Sequence, residues 1–200
     1  MKMLFTSQMV KSIFILLLLF IPYLNKTQAQ SGTASKGVKP ESYVCLPCGS
    51  DCDKEAYDKP GECAHCHMKL VLSSTISFKN ISPASLCSIM SKKPGTILLD
   101  VRTPEEFNGT AQENFGRLKG AINIPIQELE NRINELTKYR NKDIIVYCSH
   151  SHRSPQASYL LTQKGFTHIS NMQGGMSVWN EYVKDEGCSK KLLVGYPQGH

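Results

Sequence analysis

The sequence predicts an α/β protein, a parallel β-sheet flanked by helices, carrying a small cysteine-rich unit ahead of it. Three observations predict this. Between residues 73 and 184, short β-branched runs alternate with helical patterns, as in a parallel sheet wrapped by helices. Five cysteines crowd into residues 45–66, apart from that alternation. A Ser/Gly/Thr/Lys-rich stretch at 30–40 reads as a flexible linker before both.

The elements follow in order. Thr75-Ile76-Ser77-Phe78 reads as a first strand, and Ser82-Pro83 as the N-cap and first residue of a helix. Ile97 to Val101 is an apolar run that reads as a buried strand. Thr103-Pro104-Glu105-Glu106 opens a short helix, with Glu106 completing a capping box. Ala121 to Ile124 is a short strand, and Ile126, Leu129, Ile133 and Leu136 line one face of an amphipathic helix. Ile144-Ile145-Val146-Tyr147 is a second buried strand, followed by a helical pattern from Ser154. His168 to Met172 is the last strand, and Gly174-Gly175 turns into a helix bearing Trp179, which reads as a core residue. Residues 185–200 form a tail without a usable period, and Cys87 and Cys188 are either buried thiols or a disulfide.

The chemistry concentrates at Cys148, where a strand meets a helix start. Ligands of parallel sheets bind beyond the carboxyl ends of the strands. Free N–H groups and the positive end of the helix dipole meet there, and Arg153 can fold back over the same loop. Both favour the thiolate and suit an anionic partner. Ser149, His150, Ser151 and His152 fill the loop and are the candidate substrate-binding residues, with Cys148 and Arg153 the candidate catalytic pair. Asp100 and Arg102 read as a structural ion pair.

Four ordered segments resemble the rhodanese family of sulfurtransferases over residues 76–184. They are Asp100-Val101-Arg102 to Glu106-Phe107, Gly116 to Pro125, Cys148 to Arg153, and Gly174-Gly175 to Trp179. Ser151 stands where that family often has glycine, and Arg117 where it often has histidine. The resemblance implies a Cys148 persulfide formed from thiosulfate or another persulfide, and a thiol, cyanide or protein acceptor, with no cofactor for catalysis. Related phosphatases carry five residues between cysteine and arginine rather than four, and no acid follows Cys148 closely to protonate a leaving alkoxide.

Cys45-x-x-Cys48 and Cys63-x-x-Cys66 are two pairs at the spacing that brings four thiolates to a soft metal. Disulfides are the alternative outside the cytosol, and Cys52 makes an odd fifth. His65 and His67 read as exposed. Residues 43–72 resemble the small heavy-metal-binding domain attached to bacterial metal-efflux proteins, here with Cys48 in place of a histidine. That implies a zinc-ribbon-like unit in which Cys45, Cys48, Cys63 and Cys66 hold zinc or copper.

Residues 1–29 read as a secretory signal peptide: Lys2 and Lys11, an apolar core from Ile13 to Ile21, and a cleavage site at Thr27-Gln28-Ala29. The apolar run is shorter than the roughly 20 residues of a membrane span, so membrane contact is expected only if that segment stays uncleaved. The expected location is the periplasm or the exterior. The segment holds three lysines and no acid, so the mature chain keeps 20 basic and 17 acidic residues and its charge falls from +6 to +3. No arginine-rich stripe suggests nucleic acid, and a mild positive balance suits a small anionic sulfur donor. The sequence thus supports an exported sulfurtransferase, with a soft-metal-binding or sulfur-carrier protein of little turnover as the alternative.

Overall fold

The computed structural model describes residues 41–183 and 186–195. The expected signal peptide at 1–29, nearly all of the linker at 30–42 and the last residues of the tail lie outside them. Among the described residues ten strands occur in chain order: β1 (Tyr43–Val44), β2 (Ala56–Tyr57), β3 (Val71–Leu72), β4 (Lys79–Ile81), β5 (Ile97–Asp100), β6 (Arg117–Leu118), β7 (Ile122–Asn123), β8 (Ile144–Tyr147), β9 (Ile169–Met172) and β10 (Leu193–Val194). The helices are α1 (Pro83–Lys92), α2 (Pro104–Asn108), α3 (Ile126–Leu129), α4 (Arg153–Gln163), α5 (Trp179–Tyr182) and α6 (Glu186–Leu192). Among the described residues no helix is long and apolar enough to cross a membrane.

The main sheet has the order β4-β9-β8-β5-β7, and every pairing in it is parallel. β8 is central and buried at all four positions. Alternation along β5 and β8 sends side chains to opposite faces. Leu99, Ile144 and Val146 join a core with Ala157 and Leu161 of α4. Leu98, Ile145 and Tyr147 join the other core with Leu86 of α1, Trp179 of α5 and Cys188 of α6. Two covered faces explain why β8 is a continuous apolar run.

Local signals place the elements around this sheet. The Ser82 hydroxyl accepts from Ser85 N–H ahead of α1, and Pro83 occupies its first position. Thr103 and Glu106 form a complete capping box on α2. Three expectations shift. Thr75 to Phe78 is not a strand: Thr75 Oγ1 donates to Leu72 O and closes a 3₁₀ turn at Ser73–Thr75, so the ladder starts at Lys79. The amphipathic helix from Ile126 splits into α3 and a 3₁₀ segment at Ile133–Tyr139. Three residues per turn keep Ile133, Leu136 and Tyr139 in line on the same core. Residues 186–195 of the tail are structured: α6 is joined to α1 by a Cys87–Cys188 disulfide with Cα atoms 5.9 Å apart, and β10 pairs with β6.

The cysteine-rich segment folds as a three-stranded antiparallel sheet, β2-β1-β3. It leans on the α/β body. Leu46 enters the core that holds Leu99 and Val146, and the Asn80 side-chain N–H donates to Pro47 O at 3.5 Å.

The end of β5 is fixed by an ion pair with both side chains fully buried. Arg102 donates through Nε and Nη2 to Asp100, at 2.9 and 2.6 Å, and through Nη2 to Gly116 O at 2.9 Å. The expected structural role for this pair is the observed one. Arg102→Leu should destabilise the fold by about 3–5 kcal/mol, because it leaves the Asp100 carboxylate buried without its cation; urea unfolding monitored by circular dichroism would measure the loss.

Candidate active site

Cys148 follows β8 directly and is 1% exposed, beside Ser154 of α4, whose Oγ lies 3.4 Å from its sulfur. Between β8 and α4 the chain makes one tight loop. Ser151 sits in it at φ 63°, a left-handed conformation that costs a non-glycine residue about 1–2 kcal/mol. His152 follows in the right-handed region. Alternating handedness turns successive N–H groups to one side and makes a concavity suited to an anion. The serine thus adopts the conformation for which the family often uses glycine. Its hydroxyl is buried and, among the described residues, without a hydrogen-bond partner.

The loop is held from two sides. On one side stands Glu106 of α2. Its carboxylate accepts two bonds from Arg153, at 2.6 and 2.7 Å, one from the Ser149 hydroxyl at 2.7 Å, and one from Thr103 N–H at 3.0 Å. Burial pushes the Glu106 carboxyl up, but the bonds from Arg153, Thr103 and Ser149 outweigh it and bring the pKa to about 2. The same bonds raise Arg153 further. On the other side stands the Gly174-Gly175 turn. Met176 N–H donates to Cys148 O at 2.9 Å, and Ser177 N–H to Ser149 O at 3.0 Å. A Cβ on Gly175 would fall 2.4 Å from both of those carbonyl oxygens, so only glycine lets this turn approach the loop.

The expected site residues therefore divide. Cys148 lies at the carboxyl end of the central strand. Arg153 closes the loop by pairing with Glu106, with its guanidinium committed to that carboxylate. Ser149 is buried and bonded to the same carboxylate. His150 and His152 are exposed, and the His150 ring stands edge-on to Phe115 at 5.4 Å. Glu106 is the residue that sequence reasoning took only as a helix cap. Its position in the Asp100–Phe107 segment was the available signal.

A second cluster lies in the cysteine-rich segment. The sulfurs of Cys45, Cys52, Cys63 and Cys66 all lie within 4.8 Å of one another, a set that fits the tetrahedral S₄ site of a soft metal. Three members are those the spacing expects. The fourth is Cys52, on the 3₁₀ turn Asp51–Lys54, while Cys48 falls in a second set with Cys52 and Asp53 whose ligand atoms also lie within 4.8 Å of one another. Asp53 accepts the Cys48 N–H at 3.0 Å and lies 3.5 Å from its sulfur. Burial raises the Cys63 thiol, but N–H groups of Cys66 and His65 outweigh it and bring it down to about 6. Burial pushes Cys45 and Cys52 up. His65 is exposed and bonded to Glu55 at 2.9 Å, and His67 is exposed.

The depressed pKa of Glu106 has a consequence for stability. A carboxyl at about 2 in the folded chain, against an ordinary 4.5, stabilises the fold at higher pH and loses that contribution as pH falls from about 4.5 to about 2. The stability difference between the native chain and Glu106→Gln should therefore shrink across that window. Denaturant titrations at stepped pH would measure it.

With the geometry in place, comparison with known proteins is direct. The rhodanese-like domain family matches residues 82–182. The thiosulfate sulfurtransferase PspE of Escherichia coli (strain K12) is 38% identical over 76 residues, which are 38% of this chain and 67% of that protein. The protein YqhL of Bacillus subtilis (strain 168) is 39% identical over 87 residues, 44% of this chain and 63% of that protein, so the chain spans somewhat under two thirds of this relative. The crystal structure of a rhodanese-related protein from Thermoplasma volcanium aligns with a TM-score of 0.44 and 32% identity, over 60% of this chain and 96% of that one. The family match covers half of the sequence, includes both sides of the Cys148 loop and begins after the cysteine-rich segment, and on that ground the chain belongs to the rhodanese-like domain family.

Proposed function

We propose that the protein is an exported sulfurtransferase that carries a sulfane sulfur on Cys148. The observation that supports this most is the loop itself. It sets one cysteine at the end of the central strand, with four residues between it and Arg153, and Glu106 and Gly175 fixing it from either side. The Cys148 sulfur attacks the outer sulfur of thiosulfate or of a persulfide. The donor S–S bond breaks, sulfite or a thiolate leaves with the bonding pair, and the outer sulfur stays on Cys148. Both are adequate leaving groups, so no general acid is required. The concave loop receives the anion, and a thiol, cyanide or protein acceptor then takes the sulfur in a second half-reaction. Thiosulfate as donor is supported by the name of the PspE relative.

Export is supported by the signal-like pattern at 1–29 and by the Cys87–Cys188 disulfide, since disulfides persist mainly in oxidising compartments. The four-sulfur cluster favours a second property, the binding of one zinc or copper ion by Cys45, Cys52, Cys63 and Cys66. The metal would tie β1 to the turns that carry the other three cysteines and takes no part in sulfur transfer.

Cys148→Ala should abolish thiosulfate-dependent thiocyanate formation while the far-ultraviolet circular dichroism stays native. Retained turnover in that variant would remove Cys148 from the mechanism. Negligible turnover in both forms, with metal content intact in each, would favour a metal-binding or sulfur-carrier protein.

A further inference from the structure

Four of the five cysteines between residues 45 and 66 complete the S₄ cluster. The fifth, Cys48, joins a second set with Cys52 and Asp53, whose ligand atoms all lie within 4.8 Å of one another. Cys52 belongs to both sets, so its one sulfur is within reach of both groups of ligands. A thiolate sulfur carries more than one lone pair and can bind two ions at once. Cys48 and Cys52 are 4% and 2% exposed, whereas Asp53 is half-buried. The second set is thus shielded at its sulfurs and reached from solvent at its carboxylate.

The geometry within this set suits zinc. The Cys48 sulfur and Asp53 Oδ1 are 3.5 Å apart. Zinc takes sulfur at about 2.3 Å and carboxylate oxygen at about 2.1 Å, so in a tetrahedral shell the two stand about 3.6 Å apart. The carboxylate is oriented by the backbone: Oδ1 accepts Cys48 N–H at 3.0 Å and Oδ2 accepts Gly49 N–H at 2.6 Å. Carboxylates that ligate metals are held by such outer hydrogen bonds. Each carboxylate oxygen has two lone pairs, so Oδ1 keeps one for an ion. Among the described residues no salt bridge takes up Asp53, and Lys54 beside it pairs with Asp51 at 2.9 Å. Copper(I) is selected by sulfur ligands, so the oxygen in this set favours zinc.

We propose that the cysteine-rich segment holds two zinc ions, the second bound by Cys48, Asp53 and a Cys52 sulfur shared with the first. The inference rests on the reading of Cys45, Cys52, Cys63 and Cys66 as a metal site and extends it to a dinuclear centre. Each thiol that binds releases its proton to solvent as the zinc–sulfur bond forms. No electron changes hands, because zinc has no redox chemistry. The second ion cancels the two negative charges that Cys48 and Asp53 add beside the first site, where an uncompensated buried charge would be costly. It has three protein ligands, and its fourth position is left to water.

The test titrates the full chain, its cluster thiols kept reduced, with zinc against a chromophoric chelator, and weighs the complexes by native mass spectrometry. Two zinc ions per chain are expected in the native protein. One is expected in Cys48→Ser and in Asp53→Asn, each folded by circular dichroism, with the first ion bound as before. X-ray absorption should show a zinc–zinc distance below about 4.6 Å, twice the zinc–sulfur length, and lose it in Cys48→Ser. One ion in the native chain would overturn the second site and leave the four-sulfur reading standing. Two ions retained in both variants would overturn it by placing the second ion elsewhere. No ion in a folded Cys48→Ser chain would overturn it too, by making Cys48 a ligand of the first ion. No ion in the native chain would remove both sites.

Discussion

One carboxylate holds the active-site loop together. Glu106 receives both arms of Arg153, the hydroxyl of Ser149 and the N–H of Thr103, so it ties the start of α2, after β5, to the loop after β8. Four donors on one carboxylate leave little freedom to the chain that supplies them. Bidentate pairing of arginine with a carboxylate adds direction as well as energy. The price is that the guanidinium is spent on the brace. Arg153 still lies close enough to Cys148 for their charges to interact, and the left-handed Ser151 shapes the loop backbone. The opposite wall depends on the absence of a side chain at Gly175, and the buried Asp100–Arg102 pair fixes the strand end from which α2 departs.

The cysteine-rich segment belongs to the same argument. Leu46 sits in the core beneath the sheet, and Gly49 presses on Gln173 beside the loop. Asp53 accepts the N–H groups of Cys48 and Gly49 and stands with Cys48 and Cys52 in a second set of ligand atoms beside the four-sulfur cluster.

Much of the site was legible in the sequence because its signals are local. A β-branched run ending in cysteine marks the central strand and its end, Ser82-Pro83 and Thr103-Pro104 mark helix starts, and the four motifs give the family. What escaped depends on contacts distant in sequence or on backbone geometry. Glu106 reads as a cap from its spacing to Thr103, whereas its partner Arg153 lies 47 residues away. The pair spacing points to Cys48, whereas the turn Asp51–Lys54 is what brings Cys52 to Cys45, Cys63 and Cys66. The helix expected from Ile126 to Leu136 failed because the spacing of three within Ile126–Leu129 and Ile133–Leu136 serves α and 3₁₀ geometry alike. The disulfide closes a separation of 101 residues, which no local pattern reports.

The account stands most directly on the dependence of sulfur loading upon Glu106. The measurement is the rate at which intact protein gains one sulfur atom from thiosulfate, followed by mass spectrometry in the native chain and in Glu106→Gln, with circular dichroism confirming that both are folded. The brace predicts loading slower by at least about tenfold in the variant, because a loop misplaced by even 1 Å costs that much or more. Equal loading rates in two folded proteins would contradict it, and would mean that the loop keeps its shape without the carboxylate.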